Sequence, residues 1–326
     1  MSFTASSDPE TSPAAGSRQQ RTAKDYAFLG FTGMAMGAAD VVPGVSGGTM
    51  AFILGAYREL IDAIRSFDLR LVRKVLARDV AGVLAQVPWR FLLPLFTGIA
   101  VSVLSLSHAV TWLLEHHQVY LYAFFFGLVA ASIVTVSSEM EWSPKTAAGL
   151  VLGTILAYWV VGLVPVAMPH DPLTLFFSGM IAISAMILPG ISGSFLLLIL
   201  GQYAFVLAAV KGLDVVTLIP FAAGCGVGIL GFARVLSWLF THHYRSTITL
   251  LVGFMLGSLR KIWPFKEVVS TRIDRHGEVV PLEEHNLLPA LAAGETWIAL
   301  GLAVAGFLAI LALDRIRRRM VEAELA

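Results

Sequence analysis

Two copies of a glycine-broken turn carry the strongest chemical signal in this chain: Pro43-Gly44-Val45-Ser46-Gly47-Gly48-Thr49 and Pro189-Gly190-Ile191-Ser192-Gly193-Ser194. Glycine lets the backbone take positive φ and lets another group approach closely. A turn that presents consecutive N–H groups at the start of a helix forms an anion nest, aided by the positive end of the helix dipole. Ser46, Thr49, Ser192 and Ser194 add hydroxyl donors at the same place. Pro43, Gly44, Ser46, Gly47, Gly48 and Thr49, with Pro189, Gly190, Ser192, Gly193 and Ser194, are therefore candidate ligands for an anion such as phosphate. The competing reading is that Pro-Gly-x-Ser-Gly only breaks and packs a helix. The second copy has Ser194 where the first has Gly48, so the two need not bind equally.

Charge inside apolar segments is the second signal. Away from segment ends only Asp40 and Arg234 are ionised, and a charge at the centre of a membrane helix costs at least ~2.5–3.5 kcal/mol. Asp40 lies just before the first turn and could set the local field or relay a proton. Arg234 suits bidentate phosphate contact; a structural ion pair with Asp40 competes with that role. The repeat counterpart of Arg234 is His108, which could titrate during a transport cycle or be a polar packing residue. Arg260 and Lys261 end a segment before Trp263-Pro264-Phe265, at the depth of an outer-leaflet phosphate head group, and Arg260 joins Asp40 and His108 as a candidate coupling or cavity residue. Arg58, Glu59 and Asp62 read as a solvated interfacial cluster. His116-His117 and His242-His243 lack carboxylate or cysteine partners and make a poor metal site. There is no G-x-S-x-G, H-E-x-x-H or Walker loop, so no catalytic residues, metal or cofactor are expected.

The 326 residues that position these groups are 57% hydrophobic and 14% charged, with mean hydropathy +0.77. Soluble domains carry about 25% charged residues, so a polytopic membrane protein is indicated. A net charge of +1 argues against nucleic acid, and the lone Cys225 excludes a disulfide framework. About 20 apolar residues cross the hydrocarbon core. Runs at 91–114, 120–137, 146–168, 216–240, 246–262 and 296–313 meet that length. Residues 26–64 and 173–210 are apolar but broken at the two turns, and each reads as a re-entrant hairpin, tolerated where its loop is buried or lines a wet cavity.

Pro43–Tyr57 and Pro189–Tyr203 share 8 identities in 15 positions at an offset of 146, which Gly33 and Gly179 also obey. Pro94, Gly98, Trp112, His116 and His117 match Pro220, Gly224, Trp238, His242 and His243 at an offset of 126, as Gly127 and Ser132 match Gly253 and Ser258. The expected fold is all-α and polytopic, with repeat 1 over 26–168 and repeat 2 over 173–313, each a hairpin plus three spans. An odd number of crossings per repeat gives inverted topology, as in many secondary transporters. The two turns would then meet near the midplane from opposite leaflets. With both termini inside, the inner loops and tails collect most of the Lys and Arg. Residues 1–25 read as a disordered cytoplasmic arm, 314–326 as a basic cytoplasmic tail, and 263–295 as an acidic, partly ordered outer loop. The insert 66–86 reads as a basic amphipathic helix, either on the anionic inner leaflet or packed on the bundle.

Gly37–Tyr57 (GAADVVPGVSGGTMAFILGAY), MILPGISGSFLLLILGQY and GSLRKIWPF (257–265) closely resemble the bacterial and archaeal PopT family of polyprenyl-phosphate transporters. The resemblance covers nearly the whole chain from about residue 26. It implies translocation of undecaprenyl phosphate from the outer to the inner leaflet of the bacterial cytoplasmic membrane, recycling the carrier lipid for peptidoglycan and other envelope polymers. It also implies two re-entrant hairpins similar to those of DedA transporters. The expected partners are a polyprenyl-phosphate lipid and the bilayer, and a homo-oligomer is left open. A transporter of a small soluble anion, or a membrane enzyme acting on a lipid phosphate, are the competing functions.

Overall fold

A computed structural model describes residues 21–42, 44–138, 140–166, 168–273, 279–290 and 292–325. The first twenty residues of the expected disordered arm lie outside them. Helix α1 (Ala23–Val41) starts inside that arm, because Thr22 and Asp25 close a capping box. After the first turn come two short helices, α2 (Gly47–Ile53) and α3 (Tyr57–Arg65). The expected insert helix is two, α4 (Leu69–Leu76) and α5 (Val80–Gln86). Asp68 and Asp79 each cap a new start, and Arg78 takes φ 55° between them. Leu69, Val72, Val75, Leu76, Val80 and Leu84 are exposed on this pair.

Helices α6 (Trp89–His116), α7 (Gln118–Ser138) and α8 (Pro144–Val160) complete the first half. The second half repeats it with α9 (Pro172–Ile187), α10 (Gly193–Ile199), α11 (Tyr203–Lys211), α12 (Val215–His242), α13 (Tyr244–Ser258) and α14 (Gly294–Leu325). The ends of α2 and α3 recur in α10 and α11 at the 146 offset. The ends of α6 recur in α12 at 126. Even the corners coincide: His117 and His243 both leave the helix near φ −138°. In each, the preceding histidine bonds Trp112 O or Trp238 O at 3.0 Å and stacks on that indole. The His-His pairs are thus helix ends, and no metal-binding group occurs among the described residues.

Four helices, α6, α7, α12 and the Gly294–Arg315 part of α14, are long and apolar enough to span a membrane, and α10 with α11 adds a fifth if that bent pair is one span. Outward faces carry large apolar side chains such as Leu104, Ile155, Trp159, Ile219 and Leu308, as lipid contact requires. Two expected spans are shorter as helices. At 146–168, α8 stops at Val160, ahead of Pro165 and Pro169, which cannot donate to a helix ladder. At 246–262, α13 stops at Ser258, whose hydroxyl bonds back to Met255 O at 2.8 Å.

The hairpins also differ from the expected helix–loop–helix. Their second arms, 47–64 and 193–210, break again at Gly55 (φ 77°) and Gly201 (φ 67°), and α10 meets α11 at 112°. The expected outer loop contains an antiparallel ladder, β1 (Lys266–Ile273) with β2 (Val279–Asn286), a departure from a purely α fold. Its β-branched run, Val268, Val269, Thr271, Ile273, Val279 and Val280, favours strand over helix. Helix pairs α1/α6 and α9/α12 pack closely within halves, while α7/α14 and α8/α13 pack across them. Phe91, Leu95, Leu251, Met255 and Ile262 lie in the shared buried core.

Candidate functional site

The two glycine-broken turns meet. The Gly190 N–H donates to Thr49 Oγ1 at 2.8 Å, and Ser46 Oγ donates to Met186 O at 3.3 Å. Gly44 (φ 86°) and Gly190 (φ 91°) hold the left-handed backbone that each turn needs. Pro43 lies outside the described residues. Both turns lean on the end of α13: a Cβ on Gly190 would come within 2.8 Å of Phe254 O and Ser258 Oγ, and one on Gly44 within 2.8 Å of Lys261 Cγ.

The turns differ in what they leave open. In the first, Asp40 Oδ1 accepts the Gly47 N–H at 2.6 Å, Ser46 Oγ accepts the Gly48 N–H at 3.1 Å, and Ser46 O accepts the Thr49 N–H at 2.9 Å. Asp40 at the end of α1 thus supplies an internal anion to the start of α2. Gly44 through Met50 are all buried. The second turn has Met186 where the offset places Asp40's counterpart. There Ser192 makes no cap; its hydroxyl pairs with Ser194 Oγ at 2.8 Å. The N–H groups of Gly193, Ser194 and Phe195 have no hydrogen-bond partner among the described residues. Pro189, Gly190, Ser192 and Gly193 are buried, but Ser194 is exposed. An anion therefore has donors to meet at the second turn and a carboxylate already in place at the first.

Asp40→Ala is expected to lower stability by about 2 kcal/mol through loss of a charge-assisted bond to a buried amide. Asp40→Asn, which keeps an acceptor, should lose about half of that. Thermal unfolding in detergent checks both; equal stability of all three proteins would show that the carboxylate does not hold the turn.

Arg234 and His108 are not brought to the turns. Both are exposed, and Arg234 Nη1 is spent on Leu230 O of its own helix at 2.8 Å. The repeat offset puts them at equivalent places, but on outward faces of α12 and α6. No ion pair between Asp40 and Arg234 occurs. Arg260 reaches instead across to α8: it lies 4.4 Å over the Tyr158 ring and donates to Tyr158 O at 3.3 Å.

The cation beside the turns is Lys261. Its stem packs on Gly44, and its Nζ stands 4.9 Å from the ring centroid of Phe195, the residue after Ser194. Its sequence signal is the basic pair Arg260-Lys261 that closes a span, in which nothing favours the second residue over the first. Lys261 Nζ and Lys266 Nζ share Glu284 Oε2, at 3.0 and 3.1 Å. Lys266 also donates to Lys261 O at 2.6 Å and covers the Tyr122 ring at 4.7 Å. Burial pulls the Lys266 ammonium below its ordinary range, against the pull of Glu284. Burial alone would raise Glu284, but the two ammoniums hold it below the usual carboxylate value.

Two cavities flank this centre. One of about 570 Å³ lies between the C-terminal ends of α8 and α13, walled by Thr154, Tyr158, Leu256, Arg260, Trp263 and Glu284. The other, about 330 Å³, lies between the corresponding ends of α7 and α14 and includes Ser132, Thr135, Tyr57, Arg58, Leu313 and Asp314. Tyr57 Oη and Thr135 Oγ1 are buried there without a hydrogen-bond partner among the described residues. The two helix pairs correspond by the repeat offset, but the linings differ: residues 52–55, 57 and 58 wall the smaller cavity and residues 284–286 of β2 wall the larger.

Residues 36–280 match the family model described as undecaprenyl phosphate translocase-like. A polyprenyl-phosphate transporter of Vibrio cholerae serotype O1 is 44% identical over 81% of this chain and 86% of its own length. One from Staphylococcus aureus is 33% identical over 71% of this chain and 84% of its own length. No solved structure matches.

Proposed function

The chain belongs to the undecaprenyl phosphate translocase-like family, and on that premise we propose that it returns undecaprenyl phosphate, or a related polyprenyl phosphate, from the outer to the inner leaflet of the bacterial cytoplasmic membrane. The observation that carries this reading is the cross-bonded pair of turns, with open N–H donors on Gly193, Ser194 and Phe195 and the Lys261 ammonium beside them. A phosphate monoester matches that set, since charge-assisted bonds to an ammonium and to backbone amides suit phosphate oxygens. The isoprenoid tail stays in lipid along the apolar outer faces.

The halves act as an inverted repeat with both termini cytoplasmic. The cavities between the two helix pairs then open toward opposite leaflets, the larger one outward beside Arg260 and the smaller inward beside Arg58 and Asp314. Rocking one half against the other moves access from one cavity to the other while the turns stay at the centre. Carrier-lipid recycling for peptidoglycan and other envelope polymers follows from that direction. Asp40 serves as the resident counter-charge of the first turn, leaving the second to the substrate. The exposed apolar residues of α4 and α5, with Arg70, Arg73 and Lys74 among them, seat that pair on the anionic inner leaflet.

The test is reconstitution in liposomes with labelled undecaprenyl phosphate, scoring head-group accessibility on each side. Protein-dependent transfer with the phosphate intact is expected. Release of inorganic phosphate would replace this reading with an enzyme. Transport of free phosphate but not of the lipid would replace it with a soluble-anion carrier.

A further inference from the structure

Among the described residues, the Lys261 ammonium beside the turns and the neighbouring Lys266 ammonium share one carboxylate, Glu284. Lys261 and Lys266 are mostly buried, with side chains 22% and 7% exposed, and Glu284 is 16% exposed. Two cations and one anion leave a buried excess of one positive charge, which is costly in a low-dielectric setting. Arg260, next in sequence to Lys261, lines the larger cavity together with Glu284 and adds a further positive charge nearby.

Glu284 reaches this place from a separate element. It stands two residues before the end of β2, while Lys261 follows α13 and Lys266 opens β1. The base of the strand is tied independently of the carboxylate. Asn286 Nδ2 donates to Arg260 O at 2.9 Å, Trp263 Nε1 donates to Leu287 O at 2.9 Å, and the Leu287 N–H donates to Phe265 O at 2.9 Å. Glu284 can therefore leave the lysines without detaching the hairpin. Its side chain also lines the larger cavity and has room to turn into it.

Resting on the head-group reading above, we infer that Lys261 and Lys266 form a two-ammonium site for a phosphate monoester dianion, and that Glu284 is the placeholder the phosphate displaces. A dianion neutralises both lysines, where the carboxylate leaves one charge over. The displaced carboxylate turns into the cavity, and β2 loses its tie to Lys261 above the Asn286–Leu287 bonds, while Lys266 still holds the start of β1 to Lys261 O. The hairpin is thus a strap that is latched when the site is empty and loosened when it is filled. Glu284 competes with substrate, and removing its charge should tighten binding.

The test uses the full chain in phosphatidylcholine nanodiscs, as wild type and Glu284→Gln, with undecaprenyl phosphate and separately with inorganic phosphate. Binding of undecaprenyl phosphate should tighten about tenfold or more in E284Q, because a charged competitor is gone. Hydrogen exchange over 266–273 and 279–286 should rise when undecaprenyl phosphate is added to wild type, and should already be high in lipid-free E284Q. The wild-type exchange needs no variant, and protection of α7 and α13 reports that E284Q is folded. Wild type that binds undecaprenyl phosphate with no change in hairpin exchange, or folded E284Q that binds it no better, overturns the placeholder and leaves the head-group reading standing. A gain for inorganic phosphate alone upholds the placeholder and overturns the lipid as substrate. Failure of both proteins to bind either probe overturns both.

Discussion

Lys261→Gln is expected to weaken undecaprenyl phosphate binding and transport by roughly 10- to 150-fold, the equivalent of losing a charged hydrogen bond of about 1.5–3 kcal/mol. The substitution keeps the aliphatic stem that packs against Gly44. It also leaves the hairpin tied to the bundle by Lys266 Nζ on Lys261 O and by Asn286 Nδ2 on Arg260 O, so the loss should fall on the phosphate. Arg234→Gln serves as the contrast. Arg234 is exposed and bonded to its own helix, so its replacement should change transport by no more than about twofold. Initial rates in proteoliposomes, with thermal unfolding of each variant alongside, separate the outcomes. A full loss in R234Q with normal transport in K261Q would return the head group to the α12 face and remove Lys261 from the site.

That contrast marks where the sequence was legible. The turns declared themselves twice, at one offset, because glycine and proline at fixed spacing report backbone conformation directly. Gly44 and Gly190 do hold positive φ, and helix ends recur at the offsets of 146 and 126. Which way a side chain points on a long apolar helix is not written so plainly. Arg234 stood out by its rarity, but rarity says nothing about facing, and it faces outward. Lys261 was hidden by being ordinary, a cation at the end of a span. Its place beside the turns comes from α13 stopping at Ser258, after which Lys261 and Ile262 come against Gly44. The β1–β2 ladder was legible in its β-branched run but masked by its acidic loop composition. Glu284 could not be paired with Lys261 from sequence, because the contact depends on where β2 lands. Asp40 stands out in the sequence as a charge inside an apolar segment, but its partner is a main-chain amide seven residues on, a group with no side-chain signature.

Leucine at Gly98 or Gly224 should cost the most of any single change in the helices that carry the turns. A Cβ on Gly98 would lie 2.0 Å from Gly30 O, and one on Gly224 would lie 1.9 Å from Phe176 O. The obstacle is the carbonyl of a neighbouring helix backbone, which cannot turn aside as a side-chain tip can, so α1/α6 or α9/α12 must part. Membrane helices depend on such small-residue contacts because lipid supplies no hydrophobic push between them. Overpacking costs about 1–3 kcal/mol in ordinary cores, and a clash with backbone belongs at or beyond the top of that range. Folded yield and thermal stability in detergent should therefore fall sharply for G98L and G224L, and clearly even for alanine. Gly226 and Gly231 lie on the same α12 helix with nothing within 4 Å of a built Cβ. Alanine there should be neutral or stabilising by up to about 1 kcal/mol, the helix propensity gained over glycine. If G226A and G224A were equally benign, the close approach of α9 and α12 would be wrong. The two turns are bonded to each other through Gly190 and Thr49, so parting α1 from α6 should disturb the second turn as well as the first. Surviving folded G98A should thus bind undecaprenyl phosphate more weakly than wild type although its substitution lies in the first half; unchanged affinity would mean that each turn works alone.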